Sequence, residues 1–224
     1  MERAITVQKA DFVLGGWRTE AVLAMQDVAM DYKKIYMCPG TSGFELIEPL
    51  VKNYDRYKYY FRPYTNTYYM DIVEYELLEM VAKEVKKQCG IEKPKVAILA
   101  EKLAWCEPTI KAAQEKIPTK GMELVGIWRP SQVATDVTAE LTAIKASGAH
   151  IIFTFISGPV SVTGIRQWGE LEIPAAPVGM IAIGSDAYEA TLGYAEGVAS
   201  WGENGIYGVE VTPKTIPFME KYYE

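Results

Sequence analysis

The sequence predicts an α/β fold of parallel sheets. Three observations point there. Short apolar runs rich in Val, Ile and Phe alternate with stretches of helical periodicity, the pattern of βαβ units whose strands are buried on both faces. The composition is that of a packed protein, 49% hydrophobic and 23% charged, which excludes a disordered or low-complexity chain. At roughly 150 residues per domain, the 224 residues amount to about one and a half domains, so more than one compact unit is expected.

Candidate strands lie at 11–14, 35–37, 96–99, 124–127, 151–155 and 178–181, with candidate helices at 19–32, 68–88, 108–116, 136–147 and 160–168. Segment 136–148 shows the logic. Val137, Leu141 and Ile144 fall at i, i+4 and i+7, Thr135 or Asp136 can cap the start, and Gly148 suits the left-handed position after the end. The run from Ala149 through His150 to Phe155 then supplies a doubly buried strand. Two breaks are visible. Pro63 disfavours helix at Arg62, and Pro213, after Val211 and Thr212, suits the first position of a terminal helix through Phe218 and Tyr222. The tyrosines between 54 and 60 are expected to cover a junction between units.

Several function classes drop out. With 23 basic and 29 acidic residues the net charge is −6, and a nucleic-acid partner, which needs clustered Lys and Arg, is not expected. The longest apolar runs fall short of the roughly 20 residues that span a bilayer, and the first residues have no basic-then-apolar leader. Cys38, Cys89 and Cys106 lack metal-ligand spacing, and their odd number leaves a thiol unpaired. The single histidine, His150, reads as a structural residue opening a buried strand. No phosphate-binding glycine loop and no Gly-x-Ser-x-Gly elbow occur, so no cofactor and no enzymatic activity are expected.

The order of motifs resembles the type I periplasmic solute-binding proteins of branched-chain amino acid ABC transporters. Asp11-Phe12-Val13-Leu14-Gly15-Gly16-Trp17-Arg18-Thr19-Glu20 is similar to the family's strand ending in Gly and a polar binding loop. Cys38-Pro39-Gly40-Thr41-Ser42 stands at its Ser-Pro-Gly-Ala-Thr-like turn, and Tyr60-Phe61-Arg62-Pro63 at its crossing between lobes. Ala134-Thr135-Asp136, followed by Leu141, Ile144-Lys145 and Gly148, is similar to its helix before a buried strand. Ile165-Arg166-Gln167, Ala195-Glu196-Gly197 and Thr212-Pro213 follow in family order.

The resemblance implies a two-lobed flytrap, the periplasmic-binding-protein-like I fold, each lobe a doubly wound parallel sheet. Lobe 1 would take 1–63 and remain partial, lobe 2 would take 64–212, and 213–224 would return to lobe 1. The family has two strands and a helix before the first match and further elements after the last, so an exposed apolar sheet edge is expected here. It also implies a periplasmic or extracellular protein that captures a small ligand for a membrane permease. A ligand-sensing receptor module with the same fold is the alternative.

Ligands of open parallel sheets bind beyond the carboxyl ends of the strands, which directs attention to loops 15–20, 39–43, 103–107, 156–160 and 179–183. By resemblance Thr19, Thr41 and Ser42, with Gly40 of the same turn, hold a ligand carboxylate. Arg18 is either a solvated loop residue or a bidentate carboxylate clamp. Trp17 and Trp105 are either packing residues or flat apolar walls, Trp105 falling where the family has a stacking Tyr. Tyr64 and Asn66 face either the cleft mouth or the hinge. Ser157 replaces a family Tyr, leaving room for a bulkier ligand, or is a turn residue. Where amino-acid-binding relatives pair the ligand ammonium with an acid, this chain reads Gly179-Met180-Ile181-Ala182. An unpaired ammonium in a closed cleft costs several kcal/mol. A carboxylate-bearing apolar or aromatic compound, or a neutral amide-like one, is therefore expected rather than an ordinary branched-chain amino acid, unless Glu101 or Asp186 reaches in.

Overall fold

The computed structural model describes residues 1–181, 187–201, 210 and 212–223. The first lobe runs through α1 (Glu2–Thr6), β1 (Phe12–Leu14), α2 (Thr19–Asp31), β2 (Ile35–Met37), α3 (Glu48–Lys52), α4 (Tyr54–Tyr57) and β3 (Tyr60–Phe61). Its three strands pair in parallel in the order β1-β2-β3. The second lobe contains α5 (Thr67–Cys89), β4 (Lys95–Ala100), α6 (Cys106–Thr119), β5 (Glu123–Trp128), α7 (Thr138–Ala146), β6 (Ile151–Ile156), α8 (Pro159–Glu170), β7 (Ala176–Ile181), α9 (Ala187–Ala190) and β8 (Ala199–Ser200). Its parallel sheet has the order β5-β4-β6-β7-β8. A terminal helix, α10, covers Thr215–Tyr223.

The second lobe is held by a core on each face of its sheet. On one face Val96, Ile98, Ile151, Phe153 and Phe155 pack under α5 and α6, through Tyr75, Leu78, Ile110 and Ile117. On the other, Ala97, Leu99, Ile152 and Ile156 pack under Val137, Leu141 and Ile144 of the α7 segment and Val160 and Ile165 of α8. Burial on both faces is why these strands read as unbroken apolar runs.

The first lobe is covered on one face. Tyr36 and Tyr60 turn inward onto Val22, Ala29 and Met30 of α2. On the other face Phe12 stands beside Ile35, Leu14 beside Met37 and Met37 beside Phe61. These five side chains are between 40% and 72% exposed. The sequence led us to expect an exposed sheet edge; here a whole face is bare.

Other expectations shift. The tyrosines at 54–60 do not cover a junction: Tyr57 and Tyr59 pack on the lobe-1 core, and Tyr60 belongs to it. The terminal helix opens at Thr215, not Pro213, because Thr212 N donates to Thr215 Oγ1 at 2.9 Å. Helix α7 starts at Thr138, two residues later than expected. Asp136 nevertheless serves that start: its Oδ1 accepts from Thr138 N at 2.8 Å and from Gln167 Nε2 at 3.0 Å, which holds its carboxyl below the usual range. Gly148 takes φ +69°, as its place after the helix requires. His150 Nδ1 accepts from Lys95 N at 2.9 Å, a structural role. Cys38, Cys89 and Cys106 are all free thiols. No described helix is long and apolar enough to cross a membrane. Asp186, Val211 and residues 182 and 183 of the last candidate loop lie outside the described residues.

One buried acid opposes the fold. Glu74 of α5 is 1% exposed; its Oε1 accepts from Trp201 Nε1 at 3.3 Å, and its Oε2 has no partner among the described residues. Burial, and then the neighbouring Asp71, push its carboxyl well above the ordinary value, against the Trp201 hydrogen bond. A raised folded value favours the protonated folded state, so the contribution of Glu74 is complete at low pH and is lost as pH rises through that value. Glu74→Gln, which mimics the protonated acid, is expected to raise Tm by about 3 °C or more at pH 8. It should also flatten the stability profile between pH 5 and 8. Thermal unfolding across that range checks this; a lower Tm at pH 8 contradicts it.

Candidate functional site

The carboxyl ends of β1, β2, β4, β6 and β7 converge on one cleft. Its lining is Trp17, Arg18, Gly40, Thr41, Ser42, Tyr64, Leu103, Trp105, Ser157 and Met180. The empty space is about 370 Å³, counting the open mouth. That is the size of a small-ligand pocket.

From the first lobe, the loop after β1 supplies Trp17 and Arg18 and the loop after β2 supplies Gly40, Thr41 and Ser42. They meet backbone to backbone. Gly16 has φ +109°, and a Cβ on Gly40 would lie 2.5 Å from the Gly16 carbonyl oxygen, so Gly40 has to lack a side chain. Thr19 and Thr41 share a hydrogen bond, Oγ1 to Oγ1, at 2.9 Å. Thr19 thus stands behind Thr41 and does not line the cleft, unlike the other residues of the sequence-predicted set. Ser42 is buried, and its carbonyl accepts from Thr67 N at 3.0 Å and Thr67 Oγ1 at 3.1 Å, tying the loop to the start of α5. Arg62 Nη1 donates to Gly43 O at 2.6 Å and braces the same loop. Trp17 is 57% exposed, a lip more than a wall.

The second lobe contributes Leu103, Trp105, Ser157 and Met180, organised by Glu101. This residue follows β4 and is fully buried. Its Oε1 accepts from Ser157 Oγ at 2.6 Å and Trp105 Nε1 at 2.8 Å, and its Oε2 from Ser157 N at 3.0 Å. Burial raises its carboxyl above the ordinary value, while the Ser157 bonds, the Trp105 indole and the Arg18 charge pull it back. Two of these donors, an indole N–H and a backbone N–H, can only donate, and they hold one oxygen each. Glu101 does not line the cleft; it stands behind two residues that do.

The loop around Glu101 is itself fixed. Arg129, just past β5, donates from Nε to Ala100 O at 3.0 Å, and from Nη2 to Glu101 O at 2.8 Å and to Glu107 Oε1 at 2.7 Å. Gln132 Nε2 donates to Ser157 Oγ at 3.3 Å. The sequence reading marked the loop that Leu103 opens without singling out that residue, and it missed Arg129 and Gln132. The strand-end rule that found the other loops, applied to the carboxyl end of β5, points to the last two. The lobes also meet directly: Ala104 N donates to Glu20 Oε1 of α2 at 3.1 Å.

Among the described lining residues Arg18 carries the charge, the hydroxyls cluster on lobe 1, and the apolar area lies mostly on lobe 2. A guanidinium with hydroxyls at one end and an indole at the other can receive a small organic anion with an apolar body.

The comparisons with known proteins agree with this architecture. No curated protein matches the chain. Among solved structures, an R. palustris ABC-transporter solute-binding protein in complex with benzoate is 14% identical, covering 98% of this chain and 56% of that one with TM-score 0.71. Another from R. palustris, in complex with 4-hydroxybenzoate, is 21% identical over 79% of this chain and 44% of that one, with TM-score 0.58. A branched-chain amino acid ABC transporter from Thermus thermophilus with bound valine is 18% identical over 87% and 47%, with TM-score 0.61. At these identities the likeness is one of fold, and the chain spans about half the length of the structures it matches. The family model described as periplasmic binding protein matches residues 1–224, and the chain belongs to that family.

Proposed function

We propose that this chain is the ligand-capturing part of an extracytoplasmic solute-binding component of an ABC transporter. It takes a small organic carboxylate between its lobes and presents it to a membrane permease, without catalysis. The observation that carries the ligand class is the lining: Arg18 beside Thr41 and Ser42 on one lobe, with Trp105, Leu103 and Met180 facing from the other. The carboxylate would pair with Arg18 and the hydroxyls, and the apolar body would lie against Trp105. Only the closed form lets both lobes touch the ligand, so binding shifts the population toward closure, the shape a permease reads. The benzoate and 4-hydroxybenzoate complexes among the fold relatives support a carboxylate with an aromatic body. The valine complex of another supports the amino-acid alternative, which the absence of an acid among the described lining residues disfavours.

The test is to release and identify by mass spectrometry whatever small molecule the purified full chain retains. A carboxylate without an amine fits the proposal; retained leucine or valine contradicts it. A second expectation concerns the apolar wall. Trp105→Ala is expected to weaken benzoate binding at least tenfold, about 1.4 kcal/mol. Calorimetry reads it, and an unchanged affinity makes Trp105 a packing residue only.

A further inference from the structure

The cleft is polarised in its hydrogen-bonding capacity as well as in its charge. Ser157 has one hydroxyl proton, and it is spent on Glu101 Oε1 at 2.6 Å. Of its two lone pairs, one accepts from Gln132 Nε2 at 3.3 Å. What Ser157 has left to offer the cleft is a single lone pair. Behind it stands a fully buried carboxylate whose two oxygens already accept from Trp105 and Ser157. On the facing lobe Arg18 offers guanidinium N–H donors and Ser42 a hydroxyl, and the Thr41 hydroxyl beside them shares one hydrogen bond with Thr19. Donors therefore come from lobe 1, and from Ser157 on lobe 2 comes an acceptor backed by a negative charge.

We infer that the cleft selects monocarboxylates whose far end carries a hydrogen-bond donor, because Ser157 backed by Glu101 presents only an acceptor opposite the donors of Arg18, Thr41 and Ser42. A second carboxylate there would bring an acceptor against an acceptor and a charge against the buried charge, the arrangement that excludes a wrong partner most strongly. An ether oxygen fails for the first of these reasons, and a plain apolar end is tolerated without gain. The inference rests on the carboxylate reading proposed above and adds the chemistry of the other end.

The experiment is a calorimetric titration of the full chain and of the Ser157→Ala and Glu101→Gln variants with four probes: benzoate, 4-hydroxybenzoate, 4-methoxybenzoate and terephthalate. In the unmodified chain 4-hydroxybenzoate is expected to bind at least tenfold tighter than 4-methoxybenzoate, and terephthalate at least a hundredfold weaker than 4-hydroxybenzoate. In Ser157→Ala the hydroxy-to-methoxy ratio should fall to about two or less. In Glu101→Gln terephthalate should gain on benzoate by tenfold or more. Ratios within one variant remove any general loss from imperfect folding. If the methoxy probe is rejected for its size, the ratio persists in Ser157→Ala, and the inference is overturned. If benzoate binds but the hydroxy, methoxy and dicarboxylate probes bind alike, the inference falls while the carboxylate reading stands. If no probe binds at all, the carboxylate reading fails and takes this inference with it.

Discussion

Arg18→Ala is expected to weaken benzoate binding by between ten- and a hundredfold. A hydrogen bond to a charged partner contributes about 1.5–3 kcal/mol, and a guanidinium presents two parallel donors to a carboxylate. Arg18 is the charged residue among the described lining of the cleft, and no other described lining residue can take over its charge. Its backbone lies one residue before α2, next to Thr19, whose hydroxyl bonds Thr41 across the two lobe-1 loops. Because Arg18 is exposed, its removal should leave Tm within about 1 °C. Arg18→Lys should recover only part of the loss, since an ammonium is a point charge without the planar fork. Calorimetry and thermal unfolding on the same samples read both effects. Unaltered affinity in Arg18→Ala would return the residue to the status of a solvated loop arginine.

Phe153→Ala is expected to destabilise the second lobe by about 3–5 kcal/mol. Phe153 is fully buried at the middle of β6, its ring centroid 5.8 Å from Tyr75 and 4.6 Å from Phe155. Its backbone pairs with Ile98 of β4 on one side and Val178 of β7 on the other. Neighbours held in a parallel sheet cannot collapse into the space a lost ring leaves, so a cavity term adds to the lost transfer energy. At about 2–4 °C per kcal/mol for a chain of this size, Tm should fall by roughly 10 °C. The effect reaches the cleft, because β6 carries Ser157 just past its end and Phe155 O accepts from Glu101 N at 3.0 Å. A fall in Tm below 3 °C would mean that this ring is not central to the core.

The parts of the fold that could be read from sequence are those whose stability is local or two-sided. Strands β4, β6 and β7 are apolar but for Lys95 and Thr154 because both faces are covered, and α7 and α8 repeat their apolar positions at helical spacing. By contrast α3, α4 and β3 are four- or five-residue helices and a two-residue strand. The last two lean on neighbours distant in sequence: in α4 Tyr57 donates to Asp27 Oδ1 at 2.6 Å and Arg56 Nη1 to Asp31 Oδ1 at 2.7 Å, and β3 pairs with β2. Nothing in the local pattern announces such contacts. In the site, the rule that ligands gather at strand carboxyl ends picked the loops, and the family resemblance picked Thr41, Ser42, Trp105 and Ser157 within them; the cleft brings these together with Trp17, Arg18, Gly40, Met180 and Tyr64. Neither rule nor resemblance separated Thr19 from Thr41, because which of two adjacent hydroxyls faces the cleft depends on the phase of α2. The sequence raised Glu101 as an acid that might meet the ligand. The fold instead commits its oxygens to Trp105 and Ser157, a role that requires contacts across 56 residues.

The central claim is that the interlobe cleft takes an amine-free organic carboxylate. Calorimetric titration of the full chain with a panel of aromatic and aliphatic carboxylates, with leucine alongside, tests it most directly. Micromolar or tighter binding of at least one carboxylate, with leucine silent, is the predicted result. A flat carboxylate panel with tight leucine binding would contradict it.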